Sequence, residues 1–312
     1  MAKPVIGLAL GSGAARGLAH IGIIEALEAE GIRPDIVAGC SIGAFVGAAY
    51  VSGRLEAMRE WAESLVWHDV AGLLDVSLTG GGLIGGKPVE KLLRTLEITA
   101  PIEDLDRPFA TVATDYASGR EEWFTSGPIG KAVRASISLP GIFSPVKIAG
   151  DWYVDGGLVN PVPVSTCRAL GANFVIAVNL NGDLVGRRAV PEPDSDDTAN
   201  RNEMVEQAIS ALPVSWRDGT RQAVTEFLKP KPKTPSYFEV LANSINIMQD
   251  RITRSRLAGE PPHVMITPRL SDMSIFAFDQ AAEAIEEGRS CARYAMPEIQ
   301  RALANRGHKS VT

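Results

Sequence analysis

The 312-residue sequence is short of the residues that staple, anchor or strongly charge a protein. It has three cysteines, Cys40, Cys167 and Cys291, an odd number without a CxxC pair. That argues against a disulfide framework and a structural zinc site, and fits a reducing compartment. No apolar run reaches the roughly 18 to 20 residues of a membrane span. The opening MAKPVIGLAL is too brief an apolar stretch for a signal peptide, so a cytoplasmic protein is expected. Neither sign of charge dominates: 31 Lys and Arg against 37 Asp and Glu leave a net charge of -6, with no basic patch to hold nucleic acid. With 45% hydrophobic and 22% charged residues, the chain is neither disordered nor fibrous in composition.

Apolar runs and glycines organise the chain. PVIGLAL at 4–10 reads as a buried strand, GSGAARG as a glycine loop, and 14–30 as a helix ended by Gly31. A second strand at 34–38, the turn GCSIG and a small-residue helix follow, so β-loop-α-β-turn-α fills the first 53 residues. TGGGLIGG at 79–86 is a loop ahead of a helix with Pro88 in its first turn. FATVATD at 109–115 and EEWFTSG read as strands joined through Ser118–Arg120, VKIAGDWYVDGG as a hairpin turning at Gly150, and FVIAVNL at 174–180 as a strand. Residues 183–235 are rich in prolines and charges and read as an insertion or lid, and 279–304 as a helix disturbed at Pro297.

Gly39, Ser41 and Gly43 form a GxSxG between a predicted strand and a predicted helix, the setting of a nucleophile elbow. The same residues also fit a plain helix start capped by Ser41. A serine needs a base, and the four histidines, His20, His68, His263 and His308, each read as structural or solvated. Asp155, followed by Gly156 and Gly157, ends the WYV strand and could serve as that base once desolvated; Asp-Gly-Gly is equally a common turn. GSGAARG could supply unpaired backbone N–H groups to an oxyanion. Dinucleotide binding is disfavoured because Arg16 stands where GxGxxG needs glycine, and GK[ST] of a P-loop is missing.

Taken together these elements resemble the patatin-like phospholipase (PNPLA) family, specifically its bacterial RssA-type branch related to the catalytic domain of neuropathy target esterase. The blocks are LALGSGAARGLAHIGIIEAL, IVAGCSIGAFVGAAY, GGLIGGKPVEKLL, VATDYASGREEWF, AVRASISLPGIFSPV and VDGGLVNPVPVSTCRALGA, over about residues 5–180. The resemblance implies a three-layer α/β fold with a mainly parallel central sheet flanked by helices. It also implies acyl-ester hydrolysis by a Ser-Asp dyad without metal or cofactor. Carried over by motif, Ser41 is the nucleophile, Asp155 the base, and the backbone N–H groups of Ser12, Gly13 and Ala14 the oxyanion hole. Gly11, Arg16, Gly17, Gly39, Gly43, Gly156 and Gly157 support these motifs. The family loop usually reads GGGxRG or GGGxKG; here it is Ser12 to Gly17, and its donors survive if positions 12 and 14 avoid positive φ. Arg16 would position the loop or meet an anionic headgroup, and Cys40 is a small buried residue.

One domain over 1–312 is expected, with an insertion or lid at about 183–260 and a C-terminal helix at 279–304. The partner is a lipid or acyl-ester substrate, a homo-oligomer is compatible with the sequence, and an adaptor that acts through protein partners is the alternative. In residues 236–256, Phe238, Leu241, Ile245, Met248 and Ile252 form a narrow apolar stripe between Lys229, Lys231 and Lys233 and Arg251, Arg254 and Arg256. That stripe packs on the protein's own core or, bracketed by cations, touches the inner face of a membrane.

Overall fold

A computed structural model describes residues 3–65, 87–183 and 237–308. The first apolar run becomes β1 (Ile6–Leu10), buried at every position. The helix expected from residue 14 opens instead as a 3₁₀ turn, Ala14–Leu18, and turns α-helical only at α1 (Ala19–Ala29). β2 (Ile36–Cys40) runs two residues further than the sequence suggested, so Ser41 follows the strand directly and α2 (Ile42–Val51) begins one residue later. α2 is buried along its whole length, as its small side chains require.

Next come α3 (Leu55–Glu63) and α4 (Lys87–Thr95), the helix expected around Pro88. The loop at 79–86 lies outside the described residues. β3 (Phe109–Asp115) and β4 (Glu121–Phe124) form the expected pair, and α5 (Ile129–Ser136) leads to the hairpin β5 (Val146–Ile148) and β6 (Asp151–Asp155). α6 (Val164–Ala169), β7 (Phe174–Val178), α7 (Tyr237–Gly259), β8 (Val264–Ile266) and α8 (Ala281–His308) complete the described chain. α8 continues through Pro297 rather than ending there.

The strands form one mixed sheet in the order β5-β6-β3-β2-β1-β7-β8, with β4 also on β3. From β3 to β8 the neighbours are parallel; β4, β5 and β6 join antiparallel. Helices cover the mostly parallel sheet, and Leu8, Leu10, Phe109 and Phe174 meet Leu18, Ile21, Ile24 and Leu27 in the main core. α1 and α8 cross almost backbone to backbone: a Cβ at Gly22 would stand 1.9 Å from the Ile285 carbonyl oxygen. Beside the crossing, Arg289 bridges Glu25 at 2.7 Å.

The chain divides into two compact units. One is Met1–Val185 with Leu241–Thr312, the other Gly186–Val240; of the second, only Tyr237–Val240 are described. The helix foreseen over 236–256 is α7, but its apolar stripe is unevenly buried. Ile245 is buried, Leu241 and Ile252 are half-buried, Met248 is 48% exposed, and among the described residues the other buried positions of the helix are Gln249, Asp250 and Thr253. The side chain of Phe238 lies outside the described residues. At about 100° per residue Gln249 and Thr253 turn from Ile245 in one direction and Met248 in the other, so the buried sector is offset from the apolar stripe. Of the bracketing cations, Arg254 bridges Asp250 and Arg256 bridges Glu121. Among the described residues, no helix is long and apolar enough to cross a membrane.

Candidate active site

β1 is the point where the connections reverse: β2 and β3 lie on one side of it and β7 and β8 on the other. In such sheets the crevice beyond the C-terminal strand ends at the reversal receives ligands. The glycine loop leaves β1 and Ser41 leaves β2 at this place.

Ser41 occupies the N-cap position of α2, but its side chain makes no capping hydrogen bond. Its backbone sits at φ 55, ψ -124, a conformation costly for a residue with a Cβ. The glycines on either side make the bend feasible: a Cβ at Gly39 would lie 2.5 Å from Ala44 N, and one at Gly43 2.2 Å from the Leu10 carbonyl oxygen. The Ser41 N–H donates to Ser136 Oγ at 2.8 Å, and Ser136 Oγ donates to the Val112 carbonyl at 2.6 Å, which ties the bend to β3.

Asp155 comes to Ser41 through strand register. Thr111–Thr114 of β3 pairs with β4, so β2, on Phe109–Val112, and β6, on Ala113–Asp115, share the opposite edge of β3. The last rung of β2 is Cys40 on Val112, and the next rung along that edge is Asp155 on Ala113. Two strands running in opposite directions therefore stop against each other, with Ser41 and Asp155 at the break. Ser41 Oγ donates to Asp155 Oδ2 at 2.6 Å, and the Gly157 N–H donates to Oδ1 at 2.7 Å. The backbone of Asp155 is held as well: its N–H donates to the Ser138 carbonyl at 3.0 Å, and its carbonyl accepts from Thr114 Oγ1 at 2.8 Å. A Cβ at Gly156 would stand 2.2 Å from the Val112 carbonyl oxygen, so the turn needs glycine there. Asp155 is fully buried, and burial pushes its carboxyl up to about 6 against the opposing hydrogen bonds from Ser41 and Gly157.

The loop after β1 departs from expectation at two positions. The Ser12 N–H donates to the Pro161 carbonyl at 2.9 Å, so it is occupied and cannot also serve an oxyanion. Ala14 takes φ 50 as the chain turns into the 3₁₀ segment, so the condition set for the loop donors, that position 14 avoid positive φ, is not met there. The N–H groups of Gly13 and Ala14 find no partner among the described residues. Gly11 donates to the Val178 carbonyl at 3.1 Å, and its own carbonyl faces His20 Nε2 at 2.8 Å. Gly17 packs beneath Ile42. Arg16 is 2% exposed; its Nε donates to the Gly13 carbonyl at 3.3 Å and its Nη2 to Asn246 Oδ1 at 3.0 Å. It therefore holds the loop against α7, and burial draws its guanidinium down to about 10.

Two cavities meet at Ser41 and Ala14. The larger, about 930 Å³ including the solvent in its mouth, is walled by apolar side chains such as Phe45, Trp61, Leu92, Leu139, Phe143 and Phe276. The smaller, about 320 Å³, has Ser12, Arg16, Asn246 and Gln249 in its wall. Arg134, 2% exposed, shapes the first indirectly: its guanidinium donates to Ser138 Oγ and to the Ser144 carbonyl and lies over Phe143.

His20 is buried and drawn down to about 4 by that burial, so it is neutral and serves the Gly11 carbonyl. His263 Nδ1 accepts from the Val175 N–H, and its ring stacks on Phe174. Neither imidazole lies on a cavity wall with Ser41. His68 and the side chain of His308 lie outside the described residues. Cys40 is fully buried, its thiol pushed far up by desolvation. The sequence reading missed Ser136, Asn246 and Gln249. Ser136 had a usable signal in its place within AVRASISLPGIF; the other two are polar residues in a helix without any motif. Among the described residues, no three His, Cys, Asp or Glu side chains converge as a metal site.

A mixed α/β sheet thus carries, at its C-terminal edge, a serine elbow, a buried aspartate and loop amides without a partner among the described residues. Residues 8–168 match the Patatin-like phospholipase family profile, and the chain belongs to that family. An NTE family protein of Mycobacterium tuberculosis, itself described as uncharacterized, is 32% identical over 96% of this chain and 93% of its own length. Neuropathy target esterase sws of Drosophila melanogaster is 36% identical over 56% of this chain, which spans 13% of that longer protein. In fold, the chain is similar to VipD from Legionella pneumophila, with a TM-score of 0.53 and 15% identity over 95% of this chain and 66% of that one.

Proposed function

We propose that the chain is a lipid acyl hydrolase that cleaves carboxylic esters through Ser41 and Asp155. Membership of the patatin-like phospholipase family supports lipid hydrolysis. The observation that carries the finer reading is the 2.6 Å hydrogen bond from Ser41 Oγ to a fully buried carboxylate, at the junction of an apolar cavity and a polar one. With its pKa near 6, Asp155 is ionised at neutral pH and a stronger base than an ordinary carboxylate.

In this mechanism the apolar cavity takes the acyl chain and brings the ester carbonyl to Ser41. Oγ attacks the carbonyl carbon as its proton passes to Asp155. The N–H groups of Gly13 and Ala14, at the start of the first helical turn, stabilise the oxyanion. Collapse breaks the ester bond, the leaving alcohol takes the proton from Asp155, and an acyl-serine remains. Water, deprotonated by Asp155, then attacks the acyl-serine; the fatty acid leaves and Ser41 regains its proton. A cytoplasmic enzyme making peripheral contact with a lipid surface fits this reading. Ile247 and Met248, 47% and 48% exposed, stand on α7, whose buried side lines the polar cavity.

The test is hydrolysis of p-nitrophenyl esters and lysophospholipids together with labelling by a serine-reactive fluorophosphonate. Ser41→Ala should abolish labelling and lower turnover on the order of 10⁴-fold or more, and Asp155→Asn roughly 10³- to 10⁴-fold, with both proteins folded. Turnover by the Ser41→Ala protein at the parent rate would overturn the proposal.

A further inference from the structure

Beside Ile245 the buried side of α7 carries the polar residues Gln249, Asp250 and Thr253, and Gln249 is 5% exposed. The residue lies well outside the 8–168 span shared with the family profile. Its amide makes three connections. Oε1 accepts from Ser12 Oγ at 2.8 Å and from Asn181 Nδ2, just beyond β7, at 3.0 Å. Nε2 packs on Gly157 so closely that a Cβ there would stand 2.3 Å from it and 2.9 Å from Asp155 Oδ1. One side chain thus touches the loop that presents the Gly13 and Ala14 amides and the turn that carries Asp155. It also lines the small cavity that Ser41 shares.

Ser12 gives this contact its meaning. It stands where the family loop usually has glycine, so its hydroxyl is a departure that only a partner makes useful. The partner is Gln249. The Ser12 N–H already fixes the loop to Pro161, downstream of the Asp155 turn. The hydroxyl bond to Gln249 adds a side-chain tie at Ser12 to the backbone bonds of Gly11, Ser12 and Ala15 and to the Arg16 bond on the Gly13 carbonyl. The adjacent Gly13 and Ala14 amides are then set at one angle. On the other side, Nε2 against Gly157 blocks the turn from shifting and keeps the N–H that donates to Asp155 Oδ1 in place.

We propose that Gln249 is a positioning residue for ester hydrolysis: through Ser12 it fixes the loop amides, and through Gly157 it fixes the carboxylate turn, so that both face the carbonyl held at Ser41. The inference rests on the hydrolase reading above. A misplacement of about 1 Å at a reacting centre is worth on the order of 10²-fold in rate, and substrate binding in the apolar cavity should feel little of it. The expected signature is therefore a loss in kcat with KM preserved, which general loosening of the fold would not give.

The experiment uses the full chain, a soluble short-chain aryl ester, and the parent, Ser41→Ala, Gln249→Leu, Ser12→Ala and Ser12→Ala/Gln249→Leu proteins, each checked for its Tm. Gln249→Leu should lower kcat on the order of 10- to 100-fold with KM changed less than about threefold. Ser12→Ala should lower kcat by less, roughly 3- to 10-fold, and the double variant should be no slower than Gln249→Leu alone, because both remove the same link. Parent-like kcat in Gln249→Leu, or a double-variant loss equal to the product of the single losses, would overturn the proposal. If Gln249→Leu does not fold, Ser12→Ala decides alone: unchanged kcat overturns the proposal, and a fall with KM preserved supports it. Parent-rate turnover by Ser41→Ala would instead overturn the hydrolase reading itself.

Discussion

Asp155 trades stability for basicity. Its carboxyl titrates near 6 in the folded protein against an ordinary 3.8, so the folded state holds this proton more tightly than the unfolded chain does. Above pH 6 the buried charge opposes folding by about 3 kcal/mol at roughly 1.4 kcal/mol per pKa unit, and this opposition fades between about pH 6 and pH 4. Asp155→Asn, which removes the charge and keeps the shape, should melt higher than the parent at about pH 8 and lose most of that advantage by about pH 4. Equal differences in Tm at both pH values would mean that the carboxyl is not strained by burial. On the proposed mechanism, kcat/KM of the parent should fall on the acid side with a midpoint near 6, as protonation would remove the base. Ala14 carries a smaller load. With φ 50 it holds a conformation that glycine adopts freely. Ala14→Gly should therefore stabilise the chain by about 0.5 to 1 kcal/mol, read as a higher urea midpoint with an unchanged slope.

At the scale of elements, what the sequence revealed and what it hid have physical reasons. Ser41 and Asp155 were legible because close approach forces glycine beside each: Gly39 and Gly43 against Ala44 and Leu10, Gly156 against Val112. Gln249 was not, because a polar residue on a buried helical face looks the same in sequence as one turned to water. α7 misled for the related reason that Ile247 and Met248 are apolar and exposed while Gln249, Asp250 and Thr253 are polar and buried. β8 went unread because three residues give no alternation to detect, and it is recognisable only by its register on β7. The corrected helix changes which residues test contact with a lipid surface. Ile245 is buried beside the polar cavity, so Ile247→Glu with Met248→Glu is the informative pair. Activity on vesicle-borne lipid should fall at least tenfold further than activity on a soluble ester, since two exposed apolar anchors of about 1.5 to 3 kcal/mol each are replaced by charge. Equal losses on both substrates would assign these side chains to packing.

For the molecule as a whole, the sheet order is what assembles the site. The first 53 residues already hold the loop and the elbow, on adjacent parallel strands. The carboxylate, 114 positions further on, arrives only when β6 abuts β2 on the shared edge of β3. That junction makes activity a reporter of folding order. Hairpins and helices close early because their contacts are local, while pairings across long sequence separations close late. During refolding, fluorophosphonate reactivity at Ser41 should thus lag behind the recovery of helical signal and appear with the slowest phase of sheet formation. A serine that became reactive in step with the helices would place its activation in the local elbow, before the two strands have met.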